Sequence, residues 1–262
     1  MLQQECANKE SANAMCGRLT LAHSREEISR YFEYVPIDPN AEEMPARYNI
    51  APTQPLATIR MKQDQRVLKL VRWGLVPGWV KDPKDFTLLI NGRIETALDK
   101  PSFRGAMRHR RCLVPATGYY EWRRTPDHKQ AFYMKPKGGQ LIALAGLWDE
   151  WSGPDGNLID SGALLTQPAN RELSKVHHRM PVVLEPDFFD AWLDVKNIDA
   201  RDAHSLLKPM PDDFFDAIPV SSMVNSVRND GPDLIASAAE IEAPTSKPRS
   251  KPKPNTQQMD LF

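Results

Sequence analysis

The chain has 262 residues, 41% of them hydrophobic and 26% charged, and its 34 basic and 34 acidic side chains give a formal net charge of +0. This balance excludes binding to nucleic acid through a uniformly basic surface, so any such contact requires a local basic groove. Only 3 cysteines occur, the first residues lack the apolar region typical of a signal peptide, and no apolar run approaches the roughly 20 residues that span a bilayer. We therefore expect a cytoplasmic, mostly globular protein without a membrane partner, a disulfide framework or a metal.

A polar lead, residues 1–15, precedes the first patterned segment, and we expect it to be disordered or removed. Ser24 and Glu27 then form a capping box for a helix. The segments with a strand-like pattern are 18–21, 56–60, 67–73, 112–115, 118–122, 132–135, 141–148, 163–166, 177–184 and 220–224. The segments with a helical pattern are 24–32, the stretch after Thr96, 169–176, 188–193 and 200–207.

The order of these elements predicts one α+β domain over residues 16–235. Its core is a curved, barrel-like, mainly antiparallel β structure flanked by short helices. Residues 56–60 and 67–73 predict a hairpin, 112–115 and 118–122 predict a strand pair interrupted by a turn, and Gly138-Gly139 predicts a further hairpin.

Cys16 has a special chemistry if it becomes the first residue of the chain. Its amine and thiol then form a 1,2-aminothiol, which condenses with an aldehyde to an imine and closes a stable thiazolidine ring through sulfur. Such a site traps its substrate, and it requires the thiolate and the free amine, whose ordinary pKa values are about 8.5 and about 8. Taken alone, a free cysteine such as Cys16 is more often a small buried thiol.

Five segments occur in an order that resembles the SRAP family, the SOS response-associated peptidase domain. They are Cys16-Gly17-Arg18, the loop 73–79, Asn91-Gly92-Arg93, the segment 118–122 and His177-His178-Arg179-Met180-Pro181. The resemblance implies a bacterial DNA-repair protein that senses abasic sites in single-stranded DNA and traps them as a thiazolidine DNA–protein crosslink through Cys16. It implies suicide chemistry with no cofactor, protection of the lesion at replication forks, and autoproteolytic peptidase or lyase activity besides.

Carried over residue by residue, the resemblance assigns the nucleophile to Cys16, the orienting of the sugar to Asn91, acid and base catalysis to Glu121 and support of that carboxyl to His177. One carboxyl and one imidazole suit the proton transfers that sugar opening, imine formation and thiol addition require. Taken singly, Asn91 is a turn residue, Glu121 a solvated strand carboxylate and His177 a structural histidine. Their conjunction favours the catalytic interpretation.

The residues that resemble the family's phosphate contacts are Arg18, Arg93 and Arg179, since guanidinium groups suit phosphate oxygens. Trp73 and Trp79 are expected to stack on bases or to wedge a duplex end, and Trp122 is expected to face the core.

Two features depart from the family pattern. Fifteen residues precede Cys16, which blocks the chemistry unless translation starts at Met15 or the lead is removed. Gly92 stands where the family often has alanine, a change that we expect to be harmless because only a methyl group is lost.

The end of the chain carries a separate signal. A Pro/Lys-rich segment, 236–256, predicts a disordered tether. The terminal residues 257–262 end in a pentapeptide that resembles the bacterial sliding-clamp-binding motif, Gln258, Met259, Asp260, Leu261 and Phe262. The expected partners are therefore single-stranded DNA with abasic sites and the sliding clamp, and the expected state is a monomer at the nucleoid or replication fork.

Two other classes of function fit the same residues. A cysteine peptidase would use Cys16 with His177 and Glu121 on a peptide, in its own chain or in trans. A non-catalytic adaptor would bind single-stranded DNA and the clamp, and would tolerate loss of the Cys16 thiol.

Overall fold

The strands of the protein form two sheets in the computed structural model, which describes residues 17–35, 44–126 and 128–238. The strands are β1 Leu19–Leu21, β2 Arg47–Ile50, β3 Pro55–Lys62, β4 Gln65–Trp73, β5 Asn91–Arg93, β6 Arg111–Ala116, β7 Gly118–Arg124, β8 Lys129–Pro136, β9 Ile142–Ser152, β10 Leu158–Pro168, β11 Arg179–Pro181, β12 Val183–Leu184 and β13 Phe215–Pro219. The helices are α1 Arg25–Phe32, α2 Ile94–Ala97, α3 Pro101–His109, α4 Phe189–Leu193 and α5 Ala200–Ser205. Within these residues no helix is long and apolar enough to cross a membrane.

One sheet closes into a five-stranded barrel. Its strands follow the order β10, β4, β3, β6, β9, and β9 pairs with β10 again to complete the ring. Three further strands attach to the ring: β5 and β11 pair with β10, and β12 pairs with β9. Among the strand pairings described in this sheet, only β10–β4 and β10–β5 are parallel. Closure leaves the ring without free edges. The prediction of an α+β protein with a barrel-like, mainly antiparallel core and short helices is confirmed.

The second sheet is open and has the order β13, β8, β7, β1, β2. Its inner face packs on the large apolar cluster shared with the barrel, to which Leu19 and Tyr119 belong. Its outer face carries a smaller cluster that includes Tyr120 and Tyr133. Since side chains alternate along a strand, neighbouring residues of β7 serve the two clusters in turn.

The helix α1 begins as its sequence predicts. The Ser24 hydroxyl accepts a hydrogen bond from the Glu27 amide, and the Glu27 carboxylate accepts one from the Ser24 amide at 2.8 Å. The predicted hairpin is also present, because β3 and β4 pair from Pro55 opposite Arg72 to Lys62 opposite Gln65.

Two of the predicted pairings are wrong. The strands β6 and β7 follow each other but do not pair, since β6 lies in the barrel between β3 and β9 whereas β7 lies in the open sheet between β1 and β8. In the same way Gly138 and Gly139, with φ of 82° and 70°, connect β8 to the barrel strand β9 and form no hairpin. The chain crosses between sheets at both points, which local turn signals do not reveal.

Two predicted elements near the end of the domain are also wrong. The last strand is Phe215–Pro219, whereas residues 222–225 form a 3₁₀ turn. Asp216 and Pro219 weaken the strand pattern, as is common in an edge strand. The helix predicted over 169–176 shrinks to the 3₁₀ turn Leu173–Lys175.

Candidate active site

A buried carboxylate and a partly exposed imidazole meet at one end of the open sheet. Glu121 lies in β7 and is 3% exposed, and His177 lies in the loop before β11. Oε1 of Glu121 is 3.8 Å from Nδ1 of His177. The pair therefore brings one ionisable side chain from each sheet to the same place.

The start of β1 runs beside Glu121. Leu19 lies opposite Tyr119, and the Tyr120 amide donates a 3.0 Å hydrogen bond to the Arg18 carbonyl. Continuing this antiparallel register by one residue brings Gly17 opposite Glu121. A methyl group on Gly17 would lie 3.7 Å from Cδ1 of Ile90, which directly precedes Asn91. Cys16 itself lies outside the described residues.

Asn91 is held at this end by the barrel. It opens β5 and lies opposite Leu164 of β10 in parallel register. The Ile90 carbonyl accepts hydrogen bonds of 3.0 Å from the Leu164 amide and from the Trp73 indole. The segment before Asn91 is thus fixed to the barrel on the side that faces Gly17.

Gly92 is closely packed by two apolar side chains. A Cβ atom at this position would lie 3.2 Å from the Phe103 ring and 3.3 Å from Leu165. Contacts this short require a neighbour to move. The Phe103 and Leu165 side chains thus pack close to Gly92, and the expectation that glycine is harmless here stays a prediction.

The loop that carries His177 has a fixed geometry. Its amide donates to the Leu173 carbonyl at 3.0 Å, and Nδ1 accepts a 3.2 Å hydrogen bond from the Arg179 amide. Nδ1 also lies 3.3 Å from the Arg179 carbonyl, to which it donates only in the tautomer that carries the proton on Nδ1. The neighbouring His178 is exposed, and desolvation followed by the charges of His177, Arg179 and Arg93 lowers its pKa.

The Arg179 side chain is buried and bonds to other residues of the protein. Its guanidinium pairs in a fork with the carboxylate of Glu95, with one hydrogen bond of 2.9 Å, and donates to the Thr166 carbonyl at 2.6 Å. Only 7% of its side chain is exposed, whereas 44% of the Glu95 side chain is. This pairing ties β11 to α2 and lowers the pKa of Glu95. Glu95 was not singled out from the sequence, although it lies in the segment that includes Asn91.

Arg18 and Arg93 differ in their surroundings. The Arg18 guanidinium donates to Oδ1 of Asn49 at 2.7 Å and to the Val224 carbonyl at 2.6 Å, and burial lowers its pKa. The Arg93 side chain is exposed, and its guanidinium has no hydrogen bond or ion pair to any other described residue. Of the three predicted phosphate contacts, Arg93 is the one whose guanidinium is available in this structure.

Trp73, Trp79 and Trp122 occupy different environments. Trp73 is 0% exposed and sits in the large core, so the expectation that it stacks on bases is wrong: no face of its ring reaches solvent. Trp79 is 59% exposed and contacts Phe86 edge to face, with ring centroids 5.7 Å apart. Trp122, expected in the core, is half-buried on the outer cluster and donates to Oδ1 of Asn225 at 2.8 Å.

The loop beneath Trp79 is anchored on both sides. The Gly78 amide donates to the buried Asp149 carboxylate at 3.2 Å, and the Trp151 indole donates to the Val80 carbonyl at 2.6 Å. Asp149 was not predicted as part of the site, and its position in an alternating strand gave no signal for it. The exposed indole of Trp79 therefore rests on a fixed loop.

The sequence is similar to one known protein family and to several of its named members. The family model described as SOS response associated peptidase (SRAP) matches residues 15–227. The abasic site processing protein YoqW of Bacillus subtilis is 40% identical over 224 residues, which are 85% of this chain and 100% of that protein. The abasic site processing protein HMCES of Gallus gallus is 34% identical over 195 residues, which are 65% of this chain and 57% of that protein.

Solved structures share the fold. A crystal structure from Bacteroides thetaiotaomicron superposes with a TM-score of 0.77 at 24% identity and covers 85% of this chain and 100% of that one. A second, from Bordetella bronchiseptica, has a TM-score of 0.67 at 27% identity and covers 79% of this chain and 100% of that one.

Proposed function

The chain belongs to the SRAP family, and on that premise we propose that it captures abasic sites in single-stranded DNA through a covalent bond from Cys16. The names of the relatives at 40% and 34% identity concern abasic-site processing, which supports this class of substrate. The observation that carries the proposal is the register of β1 and β7. It brings Gly17, the residue bonded to Cys16, opposite a buried glutamate that lies 3.8 Å from a histidine.

The reaction that we propose is balanced without a cofactor. The ring-opened deoxyribose presents an aldehyde, the Cys16 amine adds to its carbon, and loss of one water gives an imine. The Cys16 thiolate then adds to the imine carbon while the nitrogen gains a proton, which closes the thiazolidine. Glu121 and His177 move the protons of these steps, and Asn91 orients the sugar. The free amine requires that Cys16 be the first residue of the mature chain.

Two further groups support binding of a single strand. Arg93 offers a guanidinium for a phosphate two residues from Asn91, and Trp79 offers an exposed indole for a base. Each stacked base contributes about 1–3 kcal/mol to such complexes.

Recruitment by the sliding clamp remains a separate proposal. The residues that would bind it, 258–262, lie outside the described residues, as do the lead 1–15 and the tether from residue 239 onward. A pentapeptide at the end of a tether would raise the local concentration of the domain at replication forks without contacting its active site.

One experiment separates the three classes of function. The mature protein is mixed with an abasic single-stranded oligonucleotide, with an undamaged one and with an abasic one whose aldehyde is blocked by methoxyamine. A crosslinker forms a denaturation-resistant adduct only with the free aldehyde. An adaptor binds without forming an adduct, and a peptidase cleaves a peptide in trans whether or not DNA is present; either result without an adduct would overturn the proposal.

A further inference from the structure

We propose that Arg18 is a positioning residue, which fastens the segment that carries Cys16 to a strap formed by residues 221–230. In this view Arg18 acts mainly through the protein and contributes little as a phosphate contact. The inference rests on the crosslinking function proposed above and concerns the same nucleophile.

The Arg18 guanidinium donates three hydrogen bonds to other groups of the protein. One nitrogen donates to Oδ1 of Asn49 at 2.7 Å and to the Val224 carbonyl at 2.6 Å, and the other donates to the Asn225 carbonyl at 3.2 Å. The cation also lies 5.9 Å from the centroid of the Trp122 ring. A side chain held at this many points has one conformation, and it fixes the backbone two residues from Cys16.

The buried side chain of Asn49 also joins β2 to the strap. It is 0% exposed, and its side-chain amide donates to the carbonyls of Val224 at 3.3 Å, Ser226 at 3.0 Å and Asn229 at 2.7 Å. Its oxygen accepts from Arg18, so both of its polar atoms serve the contact between β2, β1 and the strap. Such a network is stable only when all its members are satisfied.

The far end of the strap is held as well. The Asp230 carboxylate accepts from the Tyr48 amide at 2.5 Å and pairs with the Arg47 guanidinium. The strap is thus bound at both ends to β2, which makes it a firm anchor for Arg18.

The direction of the Arg18 side chain separates it from the catalytic pair. Arg18 lies opposite Tyr120 in the β1–β7 register and reaches Trp122, which places it on the outer face of the sheet. Glu121, between these two aromatic residues, points to the inner face because side chains alternate along β7. The guanidinium therefore lies on the face of the sheet opposite the Glu121 carboxyl.

This arrangement predicts an effect on rate without an effect on DNA affinity. Misplacing a reacting group by about 1 Å lowers a rate on the order of 100-fold. A lost phosphate contact instead weakens binding and reduces the dependence of log K on log salt by about 0.7 for a single strand.

The test compares Arg18→Lys and Asn49→Ser with the wild type in crosslinking to an abasic single-stranded oligonucleotide. The maximal crosslinking rate, the half-saturating oligonucleotide concentration, its salt dependence and the melting temperature are measured for each. Lysine keeps the charge but loses the fork, and Asn49 is fully buried and does not reach DNA. The matched control is Arg66→Lys, because Arg66 likewise donates to a backbone carbonyl, that of Phe32 at 2.9 Å, and to a side chain, that of Asp190.

We expect Arg18→Lys and Asn49→Ser to lower the maximal rate about tenfold or more, with the half-saturating concentration and the salt slope within twofold of the wild type. Arg66→Lys should leave the maximal rate, the half-saturating concentration and the salt slope unchanged. A full maximal rate in Arg18→Lys would overturn the proposal, and so would a loss confined to half-saturation and the salt slope. Absence of crosslinking in the wild type would instead overturn the proposed function, so the two failures are distinguishable.

Discussion

Glu121 and His177 approach each other to 3.8 Å, between Oε1 and Nδ1, although one lies in the open sheet and the other precedes a strand attached to the barrel. The carboxylate is 3% exposed, whereas the imidazole retains access to solvent through 21% of its side chain. In the proposed reaction this arrangement of a buried carboxyl beside a solvent-accessible imidazole would pass protons between the interior of the site and water.

Replacing Glu121 with Gln should slow crosslinking about 100-fold or more while leaving affinity for undamaged single-stranded DNA within twofold. Glutamine preserves the shape but does not exchange protons. Rates are measured under single-turnover conditions on denaturing gels, with Glu150→Gln as the control because that carboxylate is exposed. Equal rates for Glu121→Gln and the wild type would remove Glu121 from the mechanism.

Replacing Glu95 with Gln should lower stability near neutral pH by about 1–3 kcal/mol, because it leaves the buried Arg179 guanidinium without its anionic partner. The pKa of Glu95 is lowered by its hydrogen bond to Arg179. A carboxyl with a depressed folded-state pKa stabilises the protein above its unfolded value of about 4.3, and this stabilisation is lost as the pH falls through the folded value.

The difference in unfolding free energy between the wild type and Glu95→Gln should therefore shrink as the pH falls below about 4. Denaturant unfolding at several pH values measures it. Glu172→Gln is the comparison, since Glu172 pairs with the exposed Arg171 and Lys175. A pH-independent difference for Glu95→Gln would contradict the assigned ion pair.

Two tryptophans should respond in opposite ways to substitution. Trp79→Ala should weaken binding to single-stranded DNA by about 1–3 kcal/mol with an unchanged melting temperature, since its indole is 59% exposed. Trp73→Phe should destabilise the fold by about 2 kcal/mol, since it removes the 3.0 Å hydrogen bond to the Ile90 carbonyl and leaves a gap in the core. Fluorescence anisotropy and thermal unfolding of both variants would reveal a reversed pattern, which would refute the two assignments.

If residues 236–256 form the proposed tether, deleting Gln258 to Phe262 should abolish association with the sliding clamp and leave crosslinking in vitro unchanged. Pull-down with purified clamp measures the first effect, and the single-turnover crosslinking rate measures the second. Substituting the same number of residues within the tether, 247–251, with Gly and Ser provides the control for length and position. Retained clamp binding after the deletion would assign recruitment elsewhere.

The sequence predicted those features that local patterns determine. Ser24 and Glu27 lie three residues apart and cap α1, and the two strand-like runs 56–60 and 67–73, separated by a polar stretch, form the expected hairpin. The barrel-like class followed from the number of short strands. It was the family resemblance that brought Asn91, Glu121 and His177 into one site, and the structure places Glu121 beside His177.

Features that depend on distant contacts were not predictable in the same way. Trp73 looked like Trp79 in the sequence, yet the indole hydrogen bond to Ile90 and burial in the barrel make it a core residue. Arg179 stays a predicted phosphate contact, and its bonds to Glu95 and Thr166 had no signal in the sequence. The crossing from β6 to β7 depends on which sheet each strand joins, and no turn residue encodes that choice.

The most direct test of the account is the intact mass of the mature protein before and after reaction with an abasic single-stranded oligonucleotide. We predict a chain that begins at Cys16 and a stable adduct whose mass is the sum of the two molecules less one water. Cys16→Ala should lose the adduct. Cys112→Ala should keep it, because Cys112 is fully buried and its pKa is raised to about 12. A wild-type chain that begins at Cys16 and gives no adduct, or an adduct that survives in Cys16→Ala, would contradict the account.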